Sequence, residues 1–280
     1  MARQSPSRTP LLAALQMRSG PDVAANLDAA EALIREAAAL GATMVGLPEN
    51  FSYMGREADK PSLAEPLDGP TIGRLRDLAR TLSLTLLAGG FPERSPDPAR
   101  VFNTAVLIDP EGEIRGVYRK IHLFDVDLDE AQSFRESGHI LPGDAVVAAE
   151  AGGVVHGLSI CYDLRFPELY RRLDQAGAEI LWVPSAFTLH TGKDHWEVLL
   201  RARAIENGAY VAAPAQFGVH SPRRVTYGNA LVVDPWGKVV ARASDRSATM
   251  ALAPLDLSYR EEVRAKLPTH RHHRLEHSRS

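Results

Sequence analysis

The sequence predicts an α/β fold, a four-layer α-β-β-α sandwich made of two similar halves. Three observations carry that expectation. Strand-like and helix-like segments alternate along the chain. GATMVGLPE (41–49) and GAEILWVPS (177–185) share a Gly-Ala opening and a proline at the same spacing. An Asp-Pro-x-Gly turn inside NTAVLIDPEGEIRGVYRK (103–120) returns in NALVVDPWGKVVA (229–241). Two copies of β-α-β-α-β-β follow, each with helices on one face of its sheet. The economical way to cover the two bare apolar faces is to stack them on each other.

In the first half, LLAALQM (11–17) is a short apolar strand. Residues 22–40 repeat Ala, Leu and Ile at helical spacing, and Gly41 stops that helix. TMVGLPE (43–49) is a strand closed by Pro48, residues 70–83 a second helix, and LTLLAGGF (84–91) a third strand. The 103–120 segment is a hairpin, its proline presetting φ and its glycine taking the left-handed position. In the second half, HGLSI (156–160) is a strand and residues 167–175 a helix. GAEILWVPS holds the next strand, residues 194–207 a helix, and AYVAAPAQF leads into the repeated hairpin. Residues 124–145 lack a strong period and read as a long loop or lid. PTHRHHRLEHSRS (268–280) reads as a polar tail whose histidines lack companion ligands at metal spacing.

Composition excludes several classes. Lys+Arg 32 against Asp+Glu 35 gives a net charge of −3, without the basic footprint of a nucleic-acid binder. No apolar run approaches a membrane span, and no long apolar segment follows the basic opening MARQSPSRTP, which reads as a frayed terminus. A single cysteine cannot form an internal disulfide and points to a reducing, cytoplasmic setting.

That cysteine, Cys161, ends HGLSI just before a helix, a strand-to-helix corner of the nucleophile-elbow kind at the carboxyl edge of a sheet. A buried structural thiol is the competing reading. Glu49 ends its strand at the same rim if the sheets stack; a solvated strand-end carboxylate is its alternative. Lys120 closes the first hairpin and Glu136 lies in FRESGHI; alone, neither stands out. A cysteine nucleophile ordinarily takes a histidine base. His122, His139, His156, His190 and His195 are candidates, none within a papain-like or caspase-like signature.

GLPENF (46–51), YRKIHLF (118–124) and SICYDLRFPE (159–168), in that order, resemble the three signature stretches of the nitrilase superfamily of carbon–nitrogen hydrolases. WVPSAF (182–187), HWEVLLRARAIEN (195–207) and YGNALVVDPWG (227–237) extend the resemblance over roughly residues 10–270. It is greatest toward deaminated glutathione amidases and ω-amidases. It implies a single carbon–nitrogen hydrolase domain over 10–268, with flexible termini at 1–9 and 269–280. It also implies Cys161 as nucleophile, Glu49 as general base, Lys120 as oxyanion stabiliser with the backbone N–H of Tyr162, and Glu136 as the glutamate that positions the lysine. Burial is expected to raise the pKa of Glu49 toward that of a useful base. Arg165 would hold a substrate carboxylate in a bidentate pair, with Tyr53, Phe187 and Thr188 lining the pocket. The implied reaction turns the terminal amide of a small carboxylate-bearing substrate into carboxylate and ammonia through a thioester, without metal or organic cofactor. Deaminated glutathione is the favoured substrate; α-ketoglutaramate, another acidic amide or an N-carbamoyl compound is the near alternative. A non-catalytic interaction protein on the same fold is the alternative from another class. The resemblance also implies a homodimer.

Overall fold

The computed structural model describes residues 9–129, 132–222 and 224–274. The first half runs β1 (Leu11–Met17), α1 (Val23–Ala39), β2 (Met44–Gly46), a short α2 (Lys60–Leu63), α3 (Pro70–Leu82), β3 (Thr85–Arg94), β4 (Val101–Ile108) and β5 (Ile114–Arg119). A connecting segment carries β6 (Asp125–Asp129), β7 (Gln132–Arg135) and β8 (Ile140–Leu141). The second half runs β9 (Ala148–Ala151), β10 (Val154–Leu158), α4 (Pro167–Gln175), β11 (Ile180–Trp182), α5 (Leu189–Asn207), β12 (Tyr210–Ala213), β13 (Ala215–Ser221), β14 (Arg224–Tyr227), β15 (Leu231–Val233), β16 (Val239–Arg242) and β17 (Thr249–Pro254). It closes with α6 (Leu257–Lys266) and a helical turn, α7 (Thr269–His272), where the sequence suggested only a tail.

Local chemistry accounts for the boundaries. The Asp22 carboxylate caps α1 by accepting the Ala25 N–H at 3.1 Å, and Pro70 and Pro167 open α3 and α4, where a missing N–H costs nothing. Both Asp-Pro-x-Gly turns are built alike. The Asp109 carboxylate accepts the N–H groups of Glu111 and Glu113, and Asp234 those of Trp236 and Lys238. Gly112 and Gly237 sit at φ 78° and 88°, a region an L side chain resists.

The halves give matching strand orders, β1-β2-β3-β4-β5 and β10-β11-β12-β15-β16. Side chains alternate along β1. Leu12 and Ala14 join the central core between the sheets, while Ala13 and Leu15 pack with Ile34 of α1 and Leu75 of α3. The same central core takes in Trp182 and, beyond the second sheet, Leu173 of α4 and Leu200 of α5. The stacking is tightest where the repeats meet: a Cβ on Gly46 would lie 2.3 Å from the Trp182 ring. Gly46 and Trp182 occupy the same place in GATMVGLPE and GAEILWVPS, so equivalent positions pack on each other, as residues at a pseudo-two-fold axis must.

The halves are less separate than the repeat suggests. β17 pairs antiparallel with β1 from Leu11↔Pro254 to Gln16↔Thr249, and the β13–β14 hairpin joins the same sheet through Gln16↔Ala215. β9 does for β10 what β17 does for β1. Left unpaired, β1 and β10 would be exposed sheet edges. The 124–145 segment is also more ordered than expected: β6 and β7 form a hairpin and β8 pairs with β4. Its strand DVDLD alternates in period two but mixes in charges, so hydrophobicity alone does not reveal it. Among the described residues no helix is long and apolar enough to cross a membrane.

Candidate active site

Four chain segments converge at one end of the sandwich. Glu49 follows β2, Lys120 follows β5 and Cys161 follows β10, while Glu136 comes from the turn after the β6–β7 hairpin. The Lys120 Nζ donates to Glu49 Oε1 at 2.9 Å and to the two Glu136 oxygens at 3.0 and 2.9 Å. Lys120 is 2% exposed and Glu49 3%. The Cys161 thiol lies in hydrogen-bonding contact with Glu49. Three of the resemblance-implied residues, the carboxylate, the ammonium and the thiol, therefore meet at one buried point, with Glu136 completing the cradle around the lysine.

Each is held from behind. The second Glu49 oxygen accepts the backbone N–H of Ala186 at 3.0 Å. Glu136 Oε2 accepts the Phe124 N–H at 2.6 Å. Asn103 on β4 donates from Nδ2 to Glu49 at 2.9 Å and to Glu136 at 3.4 Å, and its own carbonyl accepts the Lys120 N–H. Asn103 thus orients both carboxylates. The sequence reading missed it, although an amide at the head of an otherwise apolar strand (NTAVLI) was a usable signal.

Cys161 sits at φ 50° in the left-handed region, a conformation that costs a non-glycine residue roughly 1–3 kcal/mol. The turn is fastened on both sides. The Cys161 N–H donates to the Pro184 carbonyl at 3.0 Å. The wholly buried Asp163 accepts the Ile160 N–H at 2.8 Å, the Tyr118 hydroxyl at 2.6 Å and the His122 N–H at 3.1 Å. His122 is also 2.7 Å from Asp163 through Nδ1 and stacks on Phe166, a structural use of that histidine. The strand-to-helix corner therefore has the expected elbow geometry, enforced by an aspartate that the sequence reading quoted but did not single out. Tyr162 is the second residue of the Cys161–Arg165 turn, whose leading N–H groups find no acceptor within a helix.

The electrostatics differ from the sequence expectation at one residue. Burial alone would raise the pKa of Glu49, but the Lys120 charge and hydrogen bond beside it outweigh burial and hold it below the ordinary carboxylate value. Burial likewise works against the charged Lys120, yet Glu136 and Glu49 overcome it and hold its pKa well above that of a free lysine. Burial and the neighbouring Glu49 push the Cys161 thiol up, with Lys120 opposing them only in part. At rest the site holds a neutral thiol beside an ionised carboxylate and an ammonium.

A cavity of about 460 Å³ opens over these groups. Six basic side chains line it (Arg56, Lys60, Lys120, Arg135, Arg165 and Arg224) against three acidic ones, Glu49, Glu57 and Glu136. Arg165 lies over the Phe187 ring at 5.2 Å and has an Nη within 3.3 Å of His195 Nδ1. Phe187 and Thr188 line the cavity as expected. Tyr53 does not; its hydroxyl donates toward the Arg56 carbonyl and Asp59, so it braces the 56–59 segment from behind. Arg224 on β14 was not anticipated. It pairs with Glu57, which also holds Lys60, and burial opposing these two cations is outweighed so that Glu57 is driven down to about 2. Among the described residues, no histidine lines the cavity.

The carbon–nitrogen hydrolase family profile matches residues 11–265. The chain belongs to the carbon–nitrogen hydrolase family. It is 45% identical over 266 residues to the deaminated glutathione amidase of Synechocystis sp., covering 94% of this chain and 97% of that one. It is 45% identical to the human deaminated glutathione amidase, covering 95% and 82%. Among solved structures it superposes on the C. elegans NitFhit protein with a TM-score of 0.89 at 42% identity, covering 95% of this chain and 65% of that one. It superposes on Saccharomyces cerevisiae Nit3, a member of branch 10 of the nitrilase superfamily, with a TM-score of 0.84 at 31% identity, covering 94% and 95%. These neighbours agree with the α-β-β-α sandwich of this carbon–nitrogen hydrolase.

Proposed function

We propose that this carbon–nitrogen hydrolase is an amidase that cleaves the amide of a small carboxylate-bearing substrate, with deaminated glutathione (α-ketoglutaramyl-Cys-Gly) as its substrate and cysteinylglycine as the amine released. The observation that carries this is the buried Lys120 bridge between Glu49 and Glu136, beside the Cys161 thiol, under a cavity whose lining is predominantly basic. The names of the relatives support the choice of substrate.

In this reading the Cys161 sulfur attacks the amide carbon while Glu49 takes the thiol proton, so thiolate and leaving group never compete for the same charge. The carbonyl oxygen becomes an oxyanion, held by Lys120 and the Tyr162 N–H; one such donor contributes about 3 kcal/mol to lowering the barrier. Glu49 passes its proton to the nitrogen, the C–N bond breaks, and the amine (cysteinylglycine from deaminated glutathione, ammonia from a primary amide) departs, leaving a thioester on Cys161. Glu49 then deprotonates a water that attacks the thioester, and the carboxylate product leaves with the thiol restored. Glu136 and Asn103 keep the lysine and the base aligned throughout.

Arg165 takes the substrate carboxylate. Cleavage should therefore be fast with deaminated glutathione, read as cysteinylglycine release, measurable with α-ketoglutaramate, read as ammonia release, and poor with neutral amides of equal length. Arg165→Leu should raise KM for the acidic amides by about 10- to 100-fold, the worth of a charge-assisted pair, with a smaller change in kcat. Absence of amine release from both keto-amides, cysteinylglycine from the first and ammonia from the second, would reject the reading.

The pH profile offers an independent check. A base whose pKa lies below its ordinary 4.5 stays ionised down to that pH, and Lys120 stays charged well above neutrality. The acid limb of kcat/KM, which reports the free enzyme, should fall below pH 4.5, and a plateau should cover the neutral range. An acid limb near pH 6 to 7 would mean that burial, not Lys120, governs Glu49.

The enzyme works as a homodimer in a reducing, cytoplasmic setting. Exposed Val198 and Ile205 on α5 and Trp236 in the nearby β15–β16 turn offer an apolar face for a second copy. Size-exclusion chromatography with light scattering should return twice the chain mass, and Trp236→Glu should shift it toward monomer.

A further inference from the structure

A second cavity of about 430 Å³ adjoins the first and shares Phe124, Phe134, Thr188 and Arg224 with it as a common wall. Its chemistry is different. The inner cavity mixes basic and acidic side chains, whereas no carboxylate among the described residues lines the outer one. Leu189 and Val225 supply apolar surface, and Arg224 at the junction and Lys193 farther out supply positive charge. The β13–β14 hairpin is tied to the start of α5 by the Tyr227 N–H donating to the Phe187 carbonyl at 2.9 Å, and Thr188 pairs with Thr226, so this rim is fixed by backbone bonds.

We propose that the outer cavity is a subsite for the peptide-like arm of an extended amide, its apolar wall meeting a small side chain and Lys193 meeting a terminal carboxylate. The inference rests on the amidase reading and adds to it what separates a long substrate from a short one. The α-ketoglutaramyl head alone fits the inner cavity, where Arg165 serves it. A head extended by two residues must pass Arg224 and enter a lobe whose only charged lining is positive. A pocket of this volume falls within the range that accommodates small ligands.

The test reads binding without turnover, in the Cys161→Ala background, by calorimetry with two ligands: α-ketoglutaramyl-Cys-Gly and the same compound with its terminal carboxyl amidated. Lys193 is exposed, so Lys193→Glu perturbs charge and leaves the core alone. Adding Lys193→Glu should weaken the acid by about tenfold and the amidated ligand by less than about twofold, a difference typical of one partly solvated ion pair reversed in sign. Equal losses for both ligands, or no loss for either, would overturn the subsite. Cysteinylglycine release by the unmodified enzyme is scored apart. Its absence would count against the amidase reading, while the binding comparison would still decide the subsite.

Discussion

Cys161→Ala is expected to abolish turnover, with kcat falling by at least about 10⁴-fold, because the chain has no second thiol to form the thioester. Glu49 and Lys120 would remain in place, so the variant should still bind an acidic amide. Intact-mass measurement after brief exposure to deaminated glutathione should find an acyl adduct on the unmodified chain and none on the variant. The backbone makes this position informative: alanine tolerates φ 50° about as poorly as cysteine, so the substitution removes the sulfur without relaxing the turn. Survival of activity would move the nucleophile elsewhere and with it the whole amidase reading. Since no histidine lines the cavity among the described residues, removing any one histidine should not imitate the effect.

Lys120→Met should be almost as damaging to catalysis and far more damaging to the fold. The ammonium bridges two carboxylates and offsets one of their two charges, and one of those carboxylates is 3% exposed; deleting one partner of a buried ion pair costs about 3–5 kcal/mol. The pH dependence separates this from a simple packing defect. In the native protein Glu49 has a lowered pKa, so its contribution to stability is present above its unfolded value and is lost as pH falls through the folded one. Without Lys120, burial is opposed only by the hydrogen bonds from Ala186, Asn103 and Cys161 and by the Arg224 charge, and the pKa rises above its unfolded value. The variant then loses stability as pH rises through the raised pKa. Urea midpoints of the two proteins should therefore converge near pH 4 and diverge toward pH 8. A constant gap would mean that Lys120 contributes by filling space.

The sequence made the reacting groups and the doubled sandwich legible for a common reason: both depend on short contiguous stretches. Pro48 and Glu49 end one apolar run and Cys161 another, whereas Lys120, closing a hairpin, was legible only through the resemblance of YRKIHLF to a signature stretch. What escaped depends on pairing across the chain. Asn103 matters because β4 lies beside β5, which brings its amide to two carboxylates. Arg224 enters the cavity because β14 joins a sheet otherwise built by the first half, and nothing local announces that. β17 was missed for the same reason, being recognisable only as the cover of an edge formed over two hundred residues earlier. The error over Glu49 was one of magnitude: burial was foreseen, and the stronger pull of an adjacent ammonium was not.

The contact of Gly46 with Trp182 limits how alike the two halves can be. Two tryptophans could not both occupy the seam, and two glycines would leave it hollow, so a duplicated chain had to differ there in order to close. The nine ring atoms of an indole on one side demand bare backbone on the other. A few residues along, the same seam sets a carboxylate, Glu49, against a hydroxyl, Ser185, in the corresponding place. The doubled frame is thus complete in its backbone and one-sided in its charge, a carboxylate facing the seam from one half and a hydroxyl from the other.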